Sequence, residues 1–305
     1  MPLDPEPCDA AHPTHPGMVL QLGFLPPFNW PALTTFLIRR GAPCLEQYDG
    51  QRYLHTAAYG EQRGWVAVTA DRDQNQLRVT VAPELADARA ELRRGLRRLF
   101  DLDADPAAIS AHLCRHQQLA ALVRRSPGLR IPGTLDGFEL ALRAVLGQQI
   151  SVKAATTLFT RFVRHFGDAI DTPFAGLDAL APRAATLANA SLQQIIDRGL
   201  PRRRAATVQT LARAVADDRL RLDGSVTVSS TRTALQALPG IGPWTAQYIC
   251  MRALGDADAF PDRDLGLLRA LAIDNPRTLQ ATAEHWRPWR AYAAMHLWHS
   301  HAAGG

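Results

Sequence analysis

Cysteine is scarce in this chain, and what there is lies scattered. Cys8, Cys44, Cys114 and Cys250 form no CxxC pair and none of the close spacings that zinc ribbons or iron–sulfur clusters require. They read as reduced thiols, as in a cytosolic protein. Long apolar runs are missing too, none approaching the roughly 20 residues of a membrane-spanning helix. The proline-rich, acidic start, MPLDPEPCDAAHPTHPG, lacks the basic and apolar regions of a signal sequence, so a soluble cytoplasmic protein is expected. Neither a long internal repeat nor a low-complexity tract is present, which sets repeat architectures aside. What is there is a 305-residue chain, 47% hydrophobic, long enough for one large or two ordinary domains with a real core. Its net charge of +5 is carried mostly by arginine rather than lysine and suits a polyanionic partner without establishing one.

Along the chain, residues 1–18 read as a disordered leader or the remnant of a longer protein. A mixed pattern follows over 19–104. An apolar run at Val19 to Leu22 and helical spacing from Trp30 to Arg40 precede three alternating segments near 53–59, 64–69 and 76–81, which predict antiparallel strands. Glu84 to Leu99 predicts a basic amphipathic helix packed back on that sheet, making a small α+β unit. From 105 to 300 helical periodicity holds nearly everywhere, with Asp105-Pro106 opening one helix as N-cap and first-turn proline. Further helices are predicted at 138–147, 151–166, 191–198, 202–215 and 230–238, so the second domain reads as a helical bundle and the fold class as α+β.

The chemistry concentrates in 238–271, LPGIGPWTAQYICMRALGDADAFPDRDLGLLRAL. Gly240 and Gly242 flank one apolar residue, so a tight turn between two helices presents backbone N–H groups beside the positive end of the second helix. Such a turn suits a phosphate, although the same pattern also serves as a plain helix connector. Trp244, Thr245 and Tyr248 follow, and Asp264 arrives twenty positions after Trp244. Either Asp262 or Asp264 suits the cap of the next helix, and the residues alone do not choose between a cap and a reactive carboxylate.

This stretch resembles the helix–hairpin–helix, glycine/proline-rich loop and aspartate signature of the base-excision DNA glycosylase superfamily. It is most similar to the bacterial 3-methyladenine DNA glycosylase II group, the inducible alkylation-repair type. Pro26-Pro27-Phe28-Asn29-Trp30, Pro127 to Gly133, Leu146 to Ser151, Trp286 to Arg290 and His296-Leu297-Trp298 carry the likeness in the same order, over about 19–299. The resemblance implies a TATA-binding-protein-like N-terminal domain, then a helical glycosylase domain with a cleft between helical subdomains. It further implies a monomer acting on double-stranded DNA with alkylated bases, at the nucleoid of a bacterial cytoplasm.

By the same resemblance Asp264 is the catalytic group. Breaking an N-glycosidic bond builds positive charge on the sugar, which an anion stabilises, and a helix start favours negative charge there. Trp244, Tyr248, Trp298 and Phe36 are the candidate pocket. A cationic alkylated purine over such faces gains roughly 0.5–2 kcal/mol, and being a good leaving group it needs no strong general acid. Gly240, Gly242, Thr245, Gln148 and Gln149 are the candidate DNA contacts, with Gln149 where the group carries a leucine wedge. Leu265 likewise replaces an aromatic. Trp244 stands where strand-cutting relatives carry a Schiff-base lysine, which implies a monofunctional enzyme. No cofactor or metal is expected, apart from a monovalent cation at the hairpin when DNA is bound. His296, His299 and His301 have no nearby carboxylate or thiol to complete a zinc site. A non-catalytic DNA-binding protein, or an enzyme excising oxidised or mismatched bases, are the alternatives.

Overall fold

A computed structural model of the chain describes residues 17–303, and residues 1–16 of the expected leader lie outside the described residues. The end of that leader is already structured, because Met18 starts the first strand and pairs with Val81. Five antiparallel strands form one sheet: β1 (Met18–Gly23), β2 (Glu46–Tyr48), β3 (Tyr53–Tyr59), β4 (Gln62–Asp71) and β5 (Gln76–Val81), in the spatial order β1-β5-β4-β3-β2. The alternation in β1 buries Leu20 and Leu22 opposite Val79 and Leu77, while Val19 and Gln21 stay exposed. The edge strand β2, three residues reading Glu-Gln-Tyr, carries no apolar alternation, which is why the pattern alone predicted fewer strands.

Two helices cover the sheet. Asn29 caps α1 (Trp30–Ile38), its side chain accepting from the Ala32 N–H at 3.1 Å. Trp30, Leu33 and Leu37 pack into the sheet's core, whereas Phe36, on another face, packs with the C-terminal helices. The basic helix predicted over 84–99 is a short 3₁₀ turn (Pro83–Leu85) followed by α2 (Arg89–Leu99), which buries Leu92, Leu96 and Leu99 and turns its arginines outward.

The rest is helical: α3 (Pro106–Leu113), α4 (Gln117–Arg125), α5 (Gly137–Leu146), α6 (Val152–Phe166), α7 (Ala184–Asn189), α8 (Leu192–Ile196), α9 (Arg202–Ala216), α10 (Val228–Gln236), α11 (Pro243–Leu254), α12 (Leu265–Ala270), α13 (Pro276–Glu284) and α14 (Arg290–Ala303). An isolated bridge between Ala169 and Ala179 is the one β pairing beyond the sheet among the described residues. Two cores divide these helices. Apolar residues of α5, α6, α9 and α11 make one, and those of α3, α4, α13 and α14 make the other. Helix α11 is the seam, giving Ile249 and Cys250 to the first core and Met251 to the second.

Buried polar residues fasten the sheet domain to these cores. Arg130 is 1% exposed, and its guanidinium donates to the carbonyls of Leu25, Pro27, Asp101 and Ala104. Asp101 Oδ2 accepts from the Ile131 N–H at 3.0 Å and from the Tyr292 hydroxyl of α14 at 2.8 Å. A buried guanidinium left without such acceptors would cost several kcal/mol, so this loop arrangement is fixed rather than adaptable.

Candidate active site

A cleft of about 1330 Å³ opens between the two helical cores, and α1, from its Asn29 cap to the two arginines that follow it, forms part of its wall. The turn from α5 to α6, the turn from α10 to α11, the N-terminal half of α11, and helices α12 and α14 complete it.

Asp264 sits on this wall as the N-cap of α12, with Oδ1 accepting from the Leu267 N–H at 3.0 Å. Cap and candidate catalyst are thus the same residue. Asp262 instead lies in the preceding loop. Two indoles complete the carboxylate's shell: Trp244 Nε1 donates to Oδ2 at 3.0 Å and Trp298 Nε1 donates to Oδ1 at 2.9 Å. Three N–H donors around one partly exposed carboxylate fix its direction.

The aromatic candidates come together as well. Trp244, in the first turn of α11, stacks on Tyr248 one turn later, with ring centroids 5.3 Å apart and planes within 7°. Trp298 of α14 meets Tyr248 edge-on at 6.3 Å. Phe36 lines the same cleft, but its ring is not an open platform, since the Arg40 guanidinium lies 3.7 Å above its centroid and that of Arg252 lies 5.0 Å away. Both arginines neighbour Tyr248: burial pushes its phenol up, but Arg252 and then Arg40 more than offset this and lower its pKa. Neither arginine was singled out from the sequence. The signal available was helical spacing, with Arg40 four residues after Phe36, and Arg252 four after Tyr248 and eight after Trp244.

The candidate DNA contacts divide into two kinds. Gly240 holds φ +89, and a Cβ there would meet Thr207 Oγ1 at 2.0 Å, so the turn itself demands glycine. Gly242 has an ordinary φ of −88 and nothing within 4 Å of a built Cβ, which leaves its outer face open for a backbone to approach. Gln148 does not point freely outward: its Nε2 donates to the Gly240 carbonyl at 3.0 Å and to Thr245 Oγ1 at 3.1 Å. Thr245 is buried, and its hydroxyl takes part in this internal brace. Gln149 is exposed at the tip of the α5–α6 turn with φ +60, a conformation that costs a non-glycine residue about 1–2 kcal/mol. Such a strained, projecting tip is a common mark of a functional position.

The histidines near the C-terminus do not assemble into a metal centre among the described residues. His296 is buried on α14, and burial, with His299 adding to it, lowers its pKa to about 4. The one trio of potential ligands among the described residues is Glu46, His55 and Glu139. There Arg143 NH2 contacts both glutamates, so a guanidinium already neutralises the carboxylates that a cation would need.

Comparison with known proteins follows the same division of the chain. Residues 19–136 match the family model described as the AlkA N-terminal domain, and residues 142–288 match the HhH-GPD superfamily base excision DNA repair protein. Over 279 residues the chain is 32% identical to the DNA-3-methyladenine glycosylase 2 of Escherichia coli, covering 92% of this chain and 96% of that protein. It is 38% identical over 286 residues to a Mycobacterium tuberculosis protein named as a probable bifunctional transcriptional activator/DNA repair enzyme AlkA. Of that longer relative the chain spans only 56%. A 3-methyladenine DNA-glycosylase structure from Archaeoglobus fulgidus superposes with a TM-score of 0.80 at 21% identity, over 93% of this chain and 98% of that one. The chain belongs to the HhH-GPD superfamily of base excision DNA repair proteins, with an AlkA-type N-terminal domain ahead of the helical one.

Proposed function

We propose that the protein is a monofunctional DNA glycosylase that hydrolyses the N-glycosidic bond of alkylated purines, of the 3-methyladenine and 7-methylguanine type, in duplex DNA and leaves an abasic site. The observation that carries this reading is the Asp264 carboxylate held by the indole N–H groups of two pocket walls. In the reaction a water oxygen bonds to C1′ while the C1′–N bond breaks, and the bonding pair leaves with the base. A cationic purine departs neutral. Positive charge grows on the sugar, and Asp264 stabilises it and accepts the water's proton. Trp244, Tyr248 and Trp298 receive the flipped base, and Gln149 enters the gap that it leaves.

Absence of strand cutting is part of the proposal. The only lysine of the chain, Lys153, lies on α6 and is not among the residues lining the cleft, so no side-chain amine stands where a Schiff base would form. A monovalent cation at the hairpin fits the turn. Among the described residues the carbonyls of Pro239 and Ile241 accept no hydrogen bond, while that of Gly240 is taken by Gln148. Such a cation would tie the turn's carbonyls to a DNA phosphate.

Incubation with methylated duplex DNA, with free 3-methyladenine and 7-methylguanine measured, tests the reading. Release of both supports it, and release of neither refutes it. Borohydride trapping of a protein–DNA adduct would contradict the monofunctional part.

A further inference from the structure

The cleft holds more positive charge than a pocket built only for cationic bases would gain from, and of its arginines that are not fully exposed, Arg40, Arg130, Arg143 and Arg252, Arg40 is the least committed. Arg252 is 4% exposed, and its guanidinium is spent on the carbonyls of Pro132 and Gly133 and on the Tyr248 hydroxyl. Arg143 is spent on Glu46, Glu139 and the Arg40 carbonyl. Arg40 makes one long bond, from Nη1 to the Phe36 carbonyl at 3.4 Å, faces the Tyr248 hydroxyl, and has no carboxylate partner among the described residues. Its backbone is nevertheless pinned by Arg143, and its guanidinium lies flat on Phe36. The cleft wall therefore carries a positioned fork with unused N–H donors.

We propose that Arg40 is a specificity-determining residue of the base pocket, one that favours neutral modified purines with exposed acceptor atoms over cationic ones. The proposal rests on the glycosylase reading above. When the C1′–N9 bond breaks, the bonding pair moves onto the base whatever the lesion. A neutral purine such as hypoxanthine then becomes an anion, to be protonated by solvent, whereas 7-methylguanine passes from cation to neutral base. A fixed positive charge assists that change equally in both. It differs in the bound state, where it repels the cation and donates to the O6 or N7 of the neutral base. Relative to free enzyme and DNA, Arg40 therefore lowers the barrier for the neutral lesion and leaves that for the cation nearly unchanged.

The test uses the full chain and duplexes carrying a single hypoxanthine or a single 7-methylguanine, with kcat and KM measured for the parent, Arg40→Gln and Arg40→Lys. Arg40→Gln should lower kcat/KM on hypoxanthine by about ten- to hundred-fold, as expected for a charge several ångströms from the base. On 7-methylguanine it should lower kcat and KM together, so that their ratio shifts by less than roughly threefold. Arg40→Lys, which keeps the charge and controls for misfolding, should retain most of the hypoxanthine activity. Equal losses on both lesions, or weaker binding of undamaged duplex with a shallower salt dependence, would overturn the proposal, the latter making Arg40 a phosphate contact. A parent that releases 7-methylguanine but not hypoxanthine would also overturn it while sparing the glycosylase reading, whereas release of neither base defeats that reading itself.

Discussion

The indole N–H of Trp244 donates to Asp264 Oδ2 at 3.0 Å, joining the first turn of α11 to the cap of α12 across the wall of the cleft. Trp244 therefore does two things: its ring stacks in the pocket, and its nitrogen aims the carboxylate. Trp244→Phe keeps most of the ring and loses the nitrogen. Hydrogen bonds to a charged group contribute about 1.5–3 kcal/mol, so single-turnover excision of 7-methylguanine should fall by about ten- to hundred-fold while duplex binding holds. An unchanged rate would show that the indole only stacks.

The two hairpin glycines should separate in experiment. Gly240→Ala places a methyl group against Thr207 at φ +89, so it should destabilise the fold by about 1–3 kcal/mol in denaturant unfolding. Gly242→Ala meets nothing within 4 Å and should leave unfolding nearly unchanged, yet weaken duplex binding where the DNA backbone approaches. Equal unfolding midpoints for the two variants would contradict this division.

Gln148 ties the wedge turn to the hairpin by two hydrogen bonds. Removing them in Gln148→Ala costs about 1–2 kcal/mol of brace. Duplex affinity, measured by fluorescence anisotropy, should drop by about five- to thirty-fold with little change in thermal midpoint. If affinity were untouched, the two turns would be engaging DNA independently.

Burial raises the carboxyl of Asp101 to about 6, against the opposing bonds from Ile131 and Tyr292, so the folded protein holds a proton there that the unfolded chain releases near pH 4. The sign follows: the stabilising contribution is complete below pH 4 and is lost as pH rises through 6. Asp101→Asn, which can still accept both bonds, should lessen the pH dependence of stability between pH 4 and 6.5, leaving the share of Asp136, whose carboxyl burial also raises to about 6, as read from thermal midpoints at intervals across that range. A variant as pH-dependent as the parent would rule out Asp101 as the source.

What the sequence revealed, and what it hid, follows from the physics of each part. The strand at 76–81 was legible because alternate residues face a core, whereas the first five residues of β3 are all buried, its two faces giving Tyr53 and Leu54 to different clusters. The edge strand β2 was not legible, having too few residues to show a period. Asp264, Trp244, Tyr248 and Trp298 were named through a motif, and only the folded chain shows how they meet, since the Trp298–Asp264 bond joins residues 34 apart. That Gln148 bonds to the Gly240 carbonyl and to Thr245 was not legible, because a side chain's direction is not written in its neighbours. Phe36 placed this helix at the pocket, but Arg40, just past its end, was hidden because an arginine there reads equally as a solvated residue.

The central claim is that Asp264 acts on the sugar and does not merely cap α12. Asp264→Asn separates the two roles, because asparagine caps a helix about as well as aspartate but carries no charge. The decisive measurement is release of 7-methylguanine from methylated duplex DNA under single-turnover conditions, with the unfolding midpoint of each protein taken alongside. Because the side-chain amide cannot accept from Trp244 as Oδ2 does, the account predicts a midpoint lowered by no more than the loss of that one bond, and a rate reduced by about a hundred-fold or more. Excision by the variant at the parent's rate would contradict it.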